Sequence, residues 1–171
     1  EPQWGQWGVS NAEAPLLHGN TESLPFTDER FDFAISEYGA AIWADPYLWI
    51  PEAHRLLRLG GRLVFLSSSP LQMLCIPKDS SETTARLERS YFDIYRFNWR
   101  AVKVDPDGIE FNLPISAWIR LFLETGFAIE DYLELVAPRD AQGSPFGVSA
   151  EWARSYPSEQ VWMLRKQAHD A

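Results

Sequence analysis

Apolar residues along the chain fall into short continuous runs that alternate with segments of helical spacing. The runs are bounded by charged residues and turn residues, as expected of buried strands. Such runs lie at residues 31–36 and 61–67 and within 160–166, and residues 127–135 are predicted as a further strand. Continuous apolar strands that alternate with helices are typical of a covered parallel sheet. The pattern therefore predicts one α/β domain with these four strands in one mostly parallel sheet.

The first long helix is predicted by its end residues as well as by its spacing. Asp45 is a suitable N-cap, and Pro46 fits the first helical position, where a missing N–H costs nothing. The apolar positions that recur at helical spacing are Ile50, Ala53 and Leu57. Pro51 predicts a kink, or a restart of the helix near Trp49. The pair Gly60–Gly61 predicts the left-handed stop of this helix.

The segment from Pro70 to Asn112 interrupts the alternation. Asp79 and Glu82 have the spacing of a helix cap and precede an amphipathic run, which predicts a helix. The members of that run are Leu87, Tyr91, Ile94 and Tyr95. The turn "DPDG" separates the β-prone pieces "RAVKV" and "IEFNLP", which predicts a hairpin. The stretch "SAWIRLFLETGF" then predicts a helix that ends at Gly126.

Composition excludes several classes of protein and partner. With 171 residues, 46% of them hydrophobic and 23% charged, the chain is expected to form one globular domain. A net charge of −9 argues against nucleic acid as a partner, because phosphate binding needs clustered Lys and Arg. No run of about 20 apolar residues predicts a membrane span, and the first residues show no secretion signal. The single cysteine, Cys75, excludes an internal disulfide and is too isolated for a metal site, so a cytoplasmic location is expected.

Three segments in a fixed order carry a family resemblance. They read "GNTESLPFTDERFDFAIS", "ADPYLWIPEAHRLLRLGGRLVF" and "WIRLFLETGFAIEDYLEL". The set resembles the second half of a class I S-adenosylmethionine-dependent methyltransferase, of the small-molecule group called methyltransferase type 11. In that family these segments are the turn and loop before the fourth strand, the helix before the fifth strand, and the last helix with the sixth strand. The resemblance covers residues 18–167 and implies a Rossmann-like sheet whose last strand runs antiparallel between its neighbours.

The resemblance also implies a function and a set of cofactor-binding residues. The family transfers a methyl group from S-adenosylmethionine to an acceptor, here a small molecule. The turn after the third strand touches the adenine ring in that family, which points to Asn20, Thr21 and Glu22. The end of the fourth strand faces the methionine part of the cofactor or the substrate, which points to Glu37, Tyr38 and Gly39.

Substrate contacts are expected from the segment that interrupts the alternation. The chain is expected to be a single methyltransferase-like domain over residues 1–171, with a lid or substrate insertion at about residues 70–113. Tyr91 and Tyr95 in this insertion are expected to pack as a lid and to line a substrate pocket. A sulfonium donor is already activated, so placing the acceptor in line with its methyl group is the main requirement. No catalytic residue and no metal ligand are therefore assigned.

One part of the family pattern has no counterpart in the chain. The family's first half carries a glycine-rich loop that approaches the cofactor and an acid that binds its ribose. The chain contains no Gly-x-Gly, and only 17 residues precede His18, whereas one βαβ unit takes about 30. Those 17 residues, which include a capping box at Ser10 and Glu13, resemble the family's extreme N-terminal helix. The Rossmann-like sheet is thus expected to be incomplete at its N-terminal half.

Two interpretations of this gap remain open. Either the missing segment exists outside the 171 residues, or the chain has lost it and is a non-catalytic remnant that serves as a binding or assembly module. In the second case a sheet edge near "FDFAIS" stays unpaired and apolar faces stay uncovered, which predicts a homodimer that exchanges residues 4–17. Such a dimer is expected to bind S-adenosylmethionine weakly or not at all.

Overall fold

The computed structural model describes residues 15–79, 81–99 and 108–168. Within these ranges strands and helices alternate along most of the chain. The elements are β1 (Phe31–Glu37), α1 (Ala40–Trp43), α2 (Pro46–Leu56), β2 (Leu57–Ser68), α3 (Pro70–Cys75), β3 (Arg96–Asn98), β4 (Ile109–Phe111), α4 (Ile115–Thr125), β5 (Phe127–Leu135), α5 (Ala150–Ser155) and β6 (Glu159–Lys166). Two single turns of 3₁₀ helix lie at Tyr91–Asp93 and Pro145–Gly147.

Four of the strands form one sheet in the order β1-β2-β6-β5. β1 pairs with β2 in parallel, and β6 pairs antiparallel with both β2 and β5. Three strands therefore point in one direction, and β6 runs against them from the middle of the sheet. This arrangement confirms the predicted Rossmann-like α/β class with an antiparallel last strand between its neighbours.

The hydrophobic core fills the space between one face of the sheet and the helices α1, α2 and α4. Its centre is a group of four fully buried rings from three elements, β2, α4 and β6: Phe65, Trp118, Phe122 and Trp162. The ring centroids of Phe65 and Trp118 are 5.5 Å apart, and those of Phe122 and Trp162 are 5.1 Å apart. A second, smaller cluster joins α3 to α5. The described helices thus pack on one face of the sheet and around its end.

The helix α2 begins where the sequence predicts, but it ends earlier than predicted. The Asp45 side chain accepts a hydrogen bond from Tyr47 N at 3.0 Å, as an N-cap should. The helix runs without a restart through Pro51 and ends at Leu56, so Gly60–Gly61 is not its stop. Leu57 is only 1% exposed and pairs with β1, so burial draws the chain into β2 before the glycines are reached.

The predicted helix through Leu87 and Tyr95 is wrong. Residues 81–95 contain a single 3₁₀ turn, and their backbone bonds go to other segments instead: Glu88 N donates to Leu74 O at 2.8 Å. The side chain of Arg89 donates to Ile76 O at 2.8 Å and so helps to satisfy the end of α3. Contacts with α3 therefore outweigh the local helical pattern.

The predicted hairpin is partly described. β3 and β4 pair antiparallel, and β4 falls within the predicted piece "IEFNLP". Its partner lies at Arg96–Asn98, whereas the predicted strand "RAVKV" and most of the turn "DPDG" lie outside the described residues, as do residues 1–14 with the predicted cap at Ser10. The role of residues 70–113 as a lid stays a prediction.

Candidate functional site at the carboxyl end of the sheet

The candidate site begins where β1 ends. Tyr38 follows this strand directly, and its N–H donates to Leu66 O on β2 at 3.0 Å. Its hydroxyl donates a hydrogen bond to Glu159 Oε1 at the start of β6. Burial, followed by the contact with Glu159, raises the pKa of Tyr38 well above its ordinary value. The hydroxyl is therefore a fixed hydrogen-bond donor at the edge where the strands end.

The turn after Tyr38 has a backbone conformation suited to glycine. Tyr38 has a φ of 53°, and Gly39 follows with φ 44° and ψ −120°, directly before α1. Ser36 Oγ stabilises the turn because it donates to Tyr38 O at 2.8 Å and accepts from Ala41 N at 3.3 Å. Glu37 is exposed, and the contacts described for this part of the chain give it no hydrogen bond or ion pair. A carboxylate and a glycine turn are thus presented together at the strand end.

The turn at residues 20–22 is attached to the start of α2. Asn20 Oδ1 accepts from Glu22 N at 3.0 Å, which closes the turn. Glu22 Oε1 accepts from Asp45 N at 2.9 Å, so the Glu22 carboxylate holds the turn against the N-cap of the helix. Asn20 and Thr21 remain exposed. The side chains of this turn therefore have different roles: Glu22 anchors it and Asn20 Oδ1 closes it, whereas Asn20 Nδ2 and the Thr21 hydroxyl are the groups offered to a ligand.

Asp45 connects this turn to the segment that precedes β3. Its Oδ2 accepts a hydrogen bond from Tyr95 Oη at 2.5 Å, and this bond raises the pKa of Tyr95 to about 12. The Tyr95 ring also lies 6.0 Å from that of Tyr47 and 5.6 Å from that of Phe111, measured between centroids. The sequence marked Asp45 only as a helix cap, because nothing local links it to a residue 50 positions away.

The two tyrosines expected to contact substrate line different cavities. Tyr95 lies in an open cavity of about 490 Å³ that also includes Phe92 and Arg120. Tyr91 lies in a second cavity of about 320 Å³ with Leu71 and other residues, and its hydroxyl accepts from Ile115 N at 2.9 Å. The structure therefore does not bring the two rings together in one pocket.

Two further carboxylates near Tyr38 were missed by sequence reasoning. One is Glu159. The other is Glu110, which accepts from Ser68 Oγ and from Trp99 Nε1, each at 2.9 Å. Both lie far along the chain from β1, and no local motif marks them. Among the residues that the structure describes, no group of three or more His, Cys, Asp or Glu could hold a metal ion.

Part of the chain matches a known family and several curated proteins. Residues 5–65 match the family described as a methyltransferase domain. The chain is 46% identical over 48 residues to the uncharacterized protein YafE of Escherichia coli, a match that covers 28% of this chain and 23% of that protein. It is 38% identical over 66 residues to a demethylmenaquinone methyltransferase of Bacillus velezensis, covering 39% of this chain and 28% of that enzyme. The chain thus spans about a quarter of the length of these two curated relatives.

Solved structures match over a larger part of the chain. An S-adenosylmethionine-dependent methyltransferase from Mesorhizobium loti has a TM-score of 0.64 at 21% identity, covering 86% of this chain and 67% of that one. A putative methyltransferase of the same class from Listeria monocytogenes has a TM-score of 0.66 at 14% identity, covering 88% and 68%. In sequence and in fold, the chain resembles class I S-adenosylmethionine-dependent methyltransferases, as its motifs predicted. No helix in the described ranges is long and apolar enough to cross a membrane.

Proposed function

We propose that the protein is an S-adenosylmethionine-dependent methyltransferase that acts on a small-molecule acceptor in the cytoplasm. The observation that carries this proposal is the position of two predicted cofactor segments at one end of β1. The turn at residues 20–22 is bonded to Asp45 at the start of α2, and Tyr38–Gly39 directly follow the strand. Ligands of open α/β sheets bind outside the carboxyl ends of the strands, which is where both segments lie.

The exposed groups at this edge suit one part of the proposed cofactor. Asn20 and Thr21 offer an amide and a hydroxyl to the donor and acceptor atoms of adenine. Glu37 and the open turn at Gly39 lie on the side assigned to the methionine part and the substrate. The chain has no Gly-x-Gly loop. The residues proposed to contact the cofactor therefore lie near its adenine ring and near its methyl group. This division supports S-adenosylmethionine as the ligand and predicts a weak affinity.

When bound, the cofactor supplies a methyl group that is attached to a positively charged sulfur. The leaving group is the neutral thioether that contains this sulfur. The acceptor atom would form the new bond to the methyl carbon as the bond from that carbon to sulfur breaks, and the proton of the acceptor would pass to solvent water. Tyr38 is not suited to take this proton, because its raised pKa and its bond to Glu159 keep the hydroxyl protonated. We propose that Tyr38 instead holds the end of β1 in place through its bond to Glu159. The exposed carboxylate of Glu37 is the better-placed group to orient the acceptor.

The acceptor class is supported by the cavity at Tyr95. Cavities that bind small molecules measure about 300–1,000 Å³. This open cavity measures about 490 Å³, which is within that range. Relatives of the chain are named as methyltransferases of demethylmenaquinone and of 2-methyl-6-phytyl-1,4-hydroquinone. We therefore propose a small-molecule acceptor with Tyr95 in its site and Tyr91 at a neighbouring cavity. Neither nucleic acid nor membrane is proposed as a partner, and the protein is proposed to act as a homodimer.

The alternative is a non-catalytic module of the same fold that binds or assembles with other molecules. The absence of a Gly-x-Gly loop favours it, because that loop provides the close backbone approach to the cofactor in the family. The two proposals differ in one measurable property. An enzyme must bind S-adenosylmethionine and transfer its methyl group, whereas the module needs to do neither.

Calorimetric titration of the full chain with S-adenosylmethionine and with S-adenosylhomocysteine tests the proposal. We expect saturable binding that Asn20→Ala weakens by about tenfold, the effect of losing one or two hydrogen bonds. Gln142→Ala changes an exposed amide outside the site and should leave the affinity unchanged. Absence of binding at millimolar ligand, or equal affinity in both variants, would overturn the assigned site. Transfer of a labelled methyl group to a small-molecule extract then separates the enzyme from the module.

A further inference from the structure

The Tyr95 hydroxyl has a fixed direction in its hydrogen bond to Asp45. It donates its proton to Asp45 Oδ2 at 2.5 Å, and a carboxylate has no proton to give in return. Asp45 is itself held in place, because its Oδ1 accepts from Tyr47 N at 3.0 Å. The bond to Asp45 also raises the pKa of Tyr95 to about 12, so the hydroxyl keeps its proton at neutral pH. The oxygen of Tyr95 can therefore only accept a further hydrogen bond.

This place on the Tyr95 oxygen is open to a ligand. Among residues 15–79, 81–99 and 108–168, none donates a hydrogen bond to Tyr95 Oη. Tyr95 is 37% exposed and lines the open cavity of about 490 Å³. Its ring contacts those of Tyr47 and Phe111, whose centroids lie 6.0 Å and 5.6 Å away. A ligand in the cavity thus meets an ordered oxygen that accepts a hydrogen bond.

The other polar groups that line the cavity do not favour one kind of ligand atom. The hydroxyl groups of Tyr47 and Ser116 belong to exposed residues and can each donate or accept. Arg120 and Glu124 are exposed charges of opposite sign, about one turn apart on α4. Their charges offset each other, so net charge favours neither an anionic nor a cationic ligand. Selection among hydrogen-bonding atoms therefore depends on Tyr95.

The rest of the cavity wall is largely apolar. The buried side chains of Ile94, Leu113 and Leu121 line it, and Phe92 adds an exposed ring. Flat apolar ligands pack well against rings and aliphatic side chains of this kind. We propose that the methyl acceptor is an uncharged aromatic compound whose O–H or N–H group donates a hydrogen bond to Tyr95 Oη. This class of acceptor rests on the methyltransferase function proposed above.

Tyr95 should discriminate against ligands that lack such a donor. A ligand with only acceptor atoms or apolar groups at this place would cover the Tyr95 oxygen without giving it a partner. Sites that hydrogen-bond a ligand group reject the analogue that lacks it for this reason. Asp45 N also donates to Glu22 at 2.9 Å, so the bonded pair of Asp45 and Tyr95 lies beside the turn proposed to bind adenine. Tyr95 thus selects and positions the acceptor next to the proposed cofactor turn.

Binding of indole and of N-methylindole to the unaltered chain tests the proposal. The two probes share the same rings, and indole has an N–H donor that N-methylindole lacks. We expect indole to bind about tenfold more tightly, the effect of one additional hydrogen bond. Chemical-shift titration of the protein by NMR measures both dissociation constants. Equal affinities, or no binding of either probe at millimolar concentration, would overturn the proposal.

Two variants assign the preference for indole to Tyr95. Tyr95→Phe removes the oxygen and keeps the ring, so it should bind the two probes with nearly equal affinity. Phe92→Leu is the matched control, because it removes a ring from the same cavity and leaves Tyr95 unchanged. It should weaken both probes and keep their ratio at about tenfold. A preference for indole that persists in Tyr95→Phe would overturn the role given to Tyr95.

Titration of the same samples with S-adenosylmethionine separates this result from the proposed function. A preference for indole that depends on Tyr95, without cofactor binding, would leave the selectivity of the cavity standing and remove the methyltransferase assignment. Cofactor binding without a preference for indole would leave the methyltransferase assignment standing and overturn the class of acceptor.

Discussion

Tyr95 donates its hydroxyl to Asp45 Oδ2 over 2.5 Å, and this bond joins two segments that lie 50 residues apart in the chain. Asp45 also receives the backbone N–H of Tyr47 as the cap of α2, and its own N–H donates to Glu22. One aspartate thus connects a helix start, the turn proposed to bind adenine, and a ring of the proposed acceptor cavity. A substitution at Asp45 is therefore expected to affect both the turn proposed to bind adenine and the proposed acceptor cavity.

Asp45→Asn is expected to lower the pKa of Tyr95 from about 12 toward its ordinary value of 10.0. The variant removes the negative charge and keeps a capping oxygen, because Asn is as good an N-cap as Asp. The folded-state pKa of Tyr95 is raised, so this contact stabilises the fold fully below about pH 10, and the stabilisation is lost as the pH rises through 12. The decline in stability between these pH values should be smaller in the variant.

Spectrophotometric titration of tyrosinate, read as the difference between each protein and its Tyr95→Phe counterpart, measures this pKa. The subtraction is needed because the pKa values of Tyr38 and Tyr132 are also raised, in both cases first by burial. A Tyr95 pKa that is the same with aspartate and with asparagine at position 45 would show that the hydrogen bond does not control it.

Asn112→Ala is expected to destabilise the fold by about 2–4 kcal/mol, because it leaves buried polar groups without partners. Asn112 is fully buried, and its Nδ2 donates to Ser68 O at 2.8 Å. Its Oδ1 accepts from Leu113 N at 2.8 Å and from Trp118 Nε1 at 3.3 Å. Urea unfolding measures the loss, with Gln142→Ala at an exposed amide as the control. A loss no larger than that of the control would contradict the role given to this amide.

Phe122→Ala is expected to destabilise the fold by about 3–5 kcal/mol, the usual cost of removing a buried ring. Phe122 is fully buried between Phe65 and Trp162, with ring centroids 6.0 Å and 5.1 Å away. Leu123→Ala, one position along α4 and exposed, should change stability by less than about 0.5 kcal/mol. The two substitutions are at consecutive positions of α4, so they differ mainly in the burial of the side chain that is removed. Similar losses in urea unfolding would mean that this face of α4 is not the one that packs on the sheet.

Several elements could be predicted from the sequence because their signals are local. The strands β1, β2 and β6 contain apolar runs, and Asp45 with Pro46 marks the start of α2. Gly126 ends α4 in the left-handed conformation, with φ 96°, as predicted from its place after an amphipathic run. The order of the family-like segments added the position of β6, which the apolar pattern does not determine.

The rest was decided by contacts between residues distant in the chain. Burial of Leu57 against the sheet ends α2 before the glycines that the sequence marks as its stop. Bonds to α3 replace the helix that the spacing of residues 87–95 predicts. Tyr38 meets Glu159 across 121 positions, and Asp45 meets Tyr95 across 50. Local periodicity records the helix or strand preference of each segment, whereas the hydrogen bonds of the candidate site form only after the sheet brings distant strand ends together.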